Sequence, residues 1–219
     1  MRRYGVRFRL GLTADGFSES NSLFCDAMHE VLRAFYEKRF PLTDEQFEFI
    51  RELNIPKKLK KGEFFIREGE VVKWGAFVAR GCLRKYIIDA KGKEHILQFL
   101  PETWWISDID SQRHGTPCLF FVDAIEDTDL LLSDMAANQQ IMDHIPGFKE
   151  AFTRGLQKHA AEKDKRIASS LSASAEEKYM DFLKTYPSIA QRVPQHMLAS
   201  YLGVTPETLS RVRKRQTKK

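Results

Sequence analysis

Val193-Pro194-Gln195-His196-Met197-Leu198-Ala199-Ser200-Tyr201-Leu202-Gly203-Val204-Thr205-Pro206-Glu207-Thr208-Leu209-Ser210-Arg211-Val212 reads as two short helices about a tight turn. Leu198 and Leu202 are four apart and make the inner face of the first helix. Ala199 is small where the two helices must approach. Gly203 permits the positive φ of the turn, and Val204 plugs the corner. Thr205 is placed to N-cap the second helix, with Pro206 at its first position and Glu207 in its first turn. Leu209 and Val212 face back into the core. The pattern is that of a helix-turn-helix.

This leaves Pro206, Glu207, Ser210, Arg211 and Lys214 on the outward face. In such a motif the second helix enters the major groove of DNA. Arg211 can bond guanine O6 and N7 together, and Glu207 can accept from a cytosine amine. Arg213, Lys214 and Arg215 suit phosphates, which give affinity without sequence choice. With Gln195, Thr205 and Thr208 these residues form the candidate DNA-binding set. A plain helical hairpin with a Glu207–Arg211 surface pair is the alternative. It leaves the adjacent basic cluster unexplained.

The charge follows this reading. The 219 residues carry 35 Lys and Arg against 30 Asp and Glu, a net charge of +5. Residues 194–219 hold six bases and one acid, so the whole surplus sits there. Residues 101–147 are the reverse, with nine acids and one base. Segregation of this kind suggests separate partners for separate parts, and a basic recognition helix fits a polyanion. A tail that merely solubilises is the alternative. An apolar fraction of 42% with 16 Phe excludes a disordered chain. No run of about 18 uncharged apolar residues occurs, so no membrane helix is expected. Cys25, Cys82 and Cys118 are scattered and form neither a disulfide framework nor a metal cluster. A reducing compartment, the cytoplasm, is therefore expected.

Upstream of the motif, 175–185 reads as a helix. Before it, Phe148, Phe152, Leu156, Ala160, Ile167 and Leu171 share one stripe along a helix of about 24 residues. Only Lys163 interrupts it. A long helix with charged flanks and a narrow seam predicts coiled-coil pairing with a second copy; packing against its own barrel is the alternative. From Pro56 to about Asp134, short apolar or alternating runs are cut by Gly-containing turns. This predicts a β sandwich or jelly-roll barrel. Helical spacing over 29–40, ended by Pro41, and a capping box at Thr43-Asp44-Glu45-Gln46 predict two helices ahead of it. Residues 1–27 read as a mobile extension or an upstream start before Met28. Arg7 and Arg9 interrupt the apolar run that a signal peptide needs. The expected organisation is α+β: an extension over 1–27, a barrel domain with flanking helices over 28–145, a dimerisation helix over 146–172 and a helix-turn-helix domain over 173–219.

This order resembles the Crp/Fnr family of bacterial transcription regulators, with a cyclic-nucleotide-binding-like barrel, over residues 29–215. The most specific part is Ala199-Ser200-Tyr201-Leu202-Gly203-Val204-Thr205-Pro206-Glu207-Thr208-Leu209-Ser210-Arg211. The resemblance implies that Pro206, Glu207 and Arg211 stand where bases are read. It implies double-stranded DNA and a second copy of the chain as partners, RNA polymerase as a further candidate, and no enzymatic activity. Pro206 has no side-chain donor, so fewer base contacts are expected. The family's β-hairpin wing is not expected in full before Lys219.

In nucleotide-binding members of the family an acid bonds the ribose, and an Arg-Ser pair meets the phosphate. The matching stretch here places Asp108 on the acid, Cys118 on the Arg and Leu119 on the Ser. The candidate effector pocket is Trp105, Ser107, Asp108, Cys118, Leu119 and Phe121. With no bidentate phosphate partner in an acidic segment, cyclic AMP is not expected to bind tightly. A cyclic-nucleotide regulator using a different phosphate contact is the alternative. No cofactor and no metal are expected. The iron–sulfur form of the family needs four Cys ligands, and His95 and His114 stand alone. A cupin-type enzyme would need clustered His and carboxylate ligands on facing strands. Cys118 as a redox thiol has only His114 as a nearby base.

Overall fold

The computed structural model describes residues 19–216. Residues 19–27, expected as extension, belong to helix α1 (Glu19–Glu37), and 1–18 lie outside the described residues. Helix α2 (Asp44–Glu52) starts at the expected capping box. The Thr43 hydroxyl accepts from the Gln46 amide N–H, and the Gln46 side chain accepts from Thr43 N–H.

Eight strands follow: β1 (Ile55–Leu59), β2 (Phe64–Ile66), β3 (Gly75–Arg80), β4 (Leu83–Ile88), β5 (Glu94–Leu100), β6 (Trp105–Ile106), β7 (Phe121–Ala124) and β8 (Thr128–Ser133). They form two four-stranded antiparallel sheets, β1-β8-β3-β6 and β2-β7-β4-β5. The expected barrel is thus two sheets rather than a single closed one. One apolar core lies between them and takes a residue from every strand, among them Leu59, Ile66, Val78, Leu83, Leu100, Ile106, Val122 and Leu130. Strand β1 escapes sequence reading. Pro56, Lys57 and Lys58 give it no alternation, as suits an edge strand that must not recruit a neighbour. Two further helices, α3 (Ile109–His114) and α4 (Met135–His144), are short and start at Asp108 and Asp134, whose carboxylates cap them.

The outer face of the first sheet is covered by α1, α2, α4 and the start of α5 (Pro146–Ser172). Leu32, Tyr36, Ile50, Phe77, Leu131, Ile141 and Phe148 meet there. Gly147 allows this approach, since a Cβ on it would stand 2.9 Å from the Cβ of Phe40. Helices α6 (Ala175–Thr185), α7 (Gln195–Leu202) and α8 (Pro206–Gln216) make a small C-terminal unit. It packs on the outer face of the second sheet. Tyr86, Ile96, Phe99 and Ile125 share a core there with Phe182, Tyr186, Ile189, Leu198, Leu202, Leu209 and Val212.

A β-bulge makes that shared core possible. Lys85 pairs with Gln98 but Tyr86 pairs with Ile96, so Leu97 is an extra residue on β5. The insertion shifts the alternation by one. Ile96 and Phe99 both reach the C-terminal unit, while Leu100 turns into the sandwich.

Candidate nucleic-acid interface and effector chamber

Helices α7 and α8 meet about Gly203, whose φ of 66° is the left-handed value that favours glycine. Leu198, Ala199, Leu202, Leu209 and Val212 are buried between and beneath them. The Thr208 N–H donates to the Thr205 hydroxyl at 3.2 Å, which caps α8. The amide of Gln195 donates to the Pro206 carbonyl at 3.1 Å and ties the two helix starts together. Pro206, Glu207, Arg211, Arg213, Lys214 and Arg215 are exposed, and Ser210 is half-buried. The Glu207 carboxyl is held below the usual carboxylate range by its own backbone N–H and the Thr205 hydroxyl, with Arg211 adding attraction. The Arg211 guanidinium also donates to the Thr208 hydroxyl at 3.2 Å. The exposed positions of α8 therefore carry one acid and four bases, with Glu207, Arg211, Lys214 and Arg215 on one face.

The C-terminal unit is held to the sandwich by polar contacts as well as by its core. The Ile96 N–H donates to the Ser200 hydroxyl at 3.1 Å, and that hydroxyl donates to the Glu94 carbonyl at 2.9 Å. Arg166 donates to the Ile96 carbonyl at 3.0 Å and lies over the Tyr201 ring. Arg192 bonds both oxygens of Glu102 at 2.8 and 3.1 Å and pairs with Glu126. Its hydrogen bonds to these two carboxylates hold its pKa above the usual range. Part of the acidic stretch 101–147 is thus spent on holding the C-terminal unit. Sequence reading missed Arg192, Arg166 and Ser200, because their partners on the sandwich lie 66 to 106 residues away.

The candidate effector residues do not converge. Cys118 is buried, its thiol donating to the Arg67 carbonyl at 3.0 Å. Asp108 accepts from Ser111 N–H at 3.1 Å, and Ser107 donates to Gln112 at 2.8 Å. Trp105 faces the other way. It pairs with Phe77 across β3 and β6 and packs in the core beneath α1. Leu119 is 76% exposed, because β7 starts two residues later than the apolar run suggests. Phe121 stacks on Tyr86 on the outer face of the second sheet. Of the six, Cys118 alone joins the core between the sheets. Strand β4 contributes what the sequence reading overlooked: Lys85, whose side chain turns inward between Leu83 and the bulge.

On α5, Phe148 leaves the proposed seam. It is 3% exposed and packs on Tyr36 within the same chain. Ala160 and Phe152, Leu156, Ile167 and Leu171 stay exposed, the last two at 60% and 84%. Among the described residues, no group of three His, Cys, Asp or Glu side chains is placed to hold a metal ion. His95 instead bonds Asp89 at 2.7 Å. No described helix is long and apolar enough to cross a membrane.

No protein-family model matches the chain, and no curated protein sequence does. Solved structures do. FixK2 from Bradyrhizobium japonicum aligns at a TM-score of 0.62 with 18% identity, over 75% of this chain and 85% of that one. The c-di-GMP responsive global regulator CLP of Xanthomonas campestris aligns at 0.64 with 12% identity, over 80% and 92%. The catabolite activator protein of Thermus thermophilus aligns at 0.51 with 19% identity, over 81% and 84%. The chain therefore has the fold of the Crp/Fnr-type regulators.

Proposed function

We propose that the chain is a sequence-specific DNA-binding transcription regulator of the Crp/Fnr type, acting as a cytoplasmic homodimer and not as an enzyme. The observation that carries this is the α7–turn–α8 unit, a helix-turn-helix whose second helix presents Glu207, Arg211, Arg213, Lys214 and Arg215 to solvent. The jelly-roll sandwich is its sensor domain. The exposed row Phe152, Leu156, Ala160, Ile167 and Leu171 on α5 is the dimer seam, which leaves four large apolar side chains to be covered by a second copy. Two copies place two α8 helices on half-sites about one helical turn apart. Cyclic AMP is not the effector, since the buried Cys118 stands where the resemblance calls for the phosphate-binding Arg.

Selection of bound sequences from a random DNA pool tests this reading. A palindromic site should emerge, and Arg211→Ala should weaken it about ten- to hundredfold while relaxing choice at one base pair. Lys214→Ala should weaken all sequences alike and flatten the salt dependence. Equal binding of selected and random DNA at every salt concentration overturns the proposal.

A further inference from the structure

We propose that the open seam between the edge strands β1 and β2 is a binding site for a small aromatic carboxylate. The site requires neither the DNA-binding nor the dimer reading.

The seam exists because the two sheets end on different strands. Strand β1 closes the first sheet and β2 the second, and the two are not hydrogen-bonded neighbours. A pocket of about 190 Å³ lies there, lined by β1, β2, β8 and the loop between β2 and β3. Phe65, Ile66, Val72, Trp74 and Leu132 supply its apolar walls. Phe65 owes its place to a second β-bulge. Phe64 pairs with Asp123 and Ile66 with Val122, so Phe65 has no partner on β7. A bulge of this kind re-aims a side chain, and Phe65 stays half-buried against the sandwich core.

The loop wall is fixed from behind. The Val72 N–H donates to the buried Ser111 hydroxyl at 2.8 Å, and the Gln112 amide donates to the Lys73 carbonyl at 3.2 Å. The Cys118 N–H donates to the Glu70 carbonyl at 2.9 Å. The pocket is therefore formed before a ligand arrives, which lowers the ordering cost of binding.

Charge decides the occupant. Lys57 pairs with Leu130 across β1 and β8, so it shares a face with Leu59, which is in the core between the sheets. Its Nζ lies 6.0 Å from the centroid of the Phe65 ring. Lys73 lines the same pocket from the loop. Among the described residues, neither ammonium bonds a carboxylate. Glu70, the acid of the lining, turns back on its own loop and accepts from Arg67 N–H at 3.2 Å. Two cations thus face one acid, and a single carboxylate balances the surplus. The walls select the rest of the ligand. An apolar cavity of about 150 Å³ takes up benzene, so about 190 Å³ holds one ring with a short acid-bearing arm. Phe65 and Trp74 offer that ring aromatic contacts. Pockets for drug-sized ligands run to about 300–1,000 Å³, so a larger body does not fit.

The test is isothermal titration of the full chain with phenylacetate and benzoate. Phenylacetamide, which lacks the charge, and acetate, which lacks the ring, are the controls. At least one aromatic acid should bind saturably with a Kd below about 1 mM, and neither control should. Lys57→Glu and Lys73→Glu reverse exposed charges and leave the core intact. Each should weaken binding about tenfold or more. The indole N–H resonance of Trp74 in the parent chain is a readout that needs no variant. It should shift on titration with the acid, and those of Trp104 and Trp105 should not. No saturable binding of either acid, equal binding of phenylacetamide, or a Trp74 resonance that stays still overturns the proposal. Binding that both Glu variants keep also overturns it, and loss in Lys85→Met alone would move the ligand to the sandwich interior.

Discussion

Arg84 and Lys85 are neighbours on β4, point to opposite faces and meet opposite fates. Arg84, on the outer face, bonds both oxygens of Asp123 at 2.7 and 2.9 Å and reaches Glu94 as well. The Tyr86 hydroxyl donates to the same Asp123 at 3.3 Å. Burial alone would lower the Arg84 pKa, yet hydrogen bonds to Asp123 and Glu94 outweigh it and hold it above the usual range. Lys85, on the inner face, has the Phe120 ring beside it, and loss of hydration, followed by repulsion from Lys163, lowers its pKa to about 8. A strand with charge on both faces is paired where it only needs to be stable. Where it is left unpaired, a cost is carried that the fold itself does not repay.

The sharpest way to break the contrast is to make the outer face resemble the inner one. Arg84→Met leaves Asp123 buried without its cation and should destabilise the fold by about 3–5 kcal/mol in urea denaturation. Replacing both partners, Arg84→Met with Asp123→Leu, should recover most of that loss. The opposite change comes next in size. Lys85→Met should stabilise the chain by about 1–2 kcal/mol at pH 7, because it removes a poorly partnered, half-buried charge. The gain should shrink as pH rises. The folded Lys85 pKa is lowered to about 8 from 10.5, so between these values the unfolded chain holds the proton that the folded chain releases. Stability of the parent therefore rises across this window, while the Met variant has no such contribution. A gain that is flat from pH 7 to 10.5 would show that charge is not what Lys85 costs. The smallest effect is expected at the rim. Arg192→Ala removes a half-exposed clamp worth about 1 kcal/mol. It should speed hydrogen exchange at the Ile96 N–H, which bonds Ser200, before it shifts global unfolding.

The same contrast explains what could be read from the sequence. The α7–turn–α8 unit was legible because its signals are local: Gly203 at a left-handed turn, Thr205 as cap, and Leu198, Leu202, Leu209 and Val212 at helical spacing. Most strands were legible from their Gly-bounded runs. The inner chamber was not. Which β4 side chain points inward depends on pairing with Val122 and Gln98, and pairing depends on a bulge that no composition signal marks. Trp105, Leu119 and Phe121 were assigned to the chamber from one continuous stretch. Strand parity and a late start of β7 send them to three different places. Phe148 fitted the seam spacing on α5, but Tyr36 reaches it first.

The extra residue Leu97 has a thermodynamic consequence. It brings Ile96 and Phe99, three residues apart, to the one face of β5 that packs on the C-terminal helices, while ordinary alternation turns Leu100 into the sandwich. β5 cannot leave without opening both cores, so the sandwich and the C-terminal helices are expected to unfold together. Differential scanning calorimetry of the chain should show one endotherm, with the van't Hoff and calorimetric enthalpies in agreement.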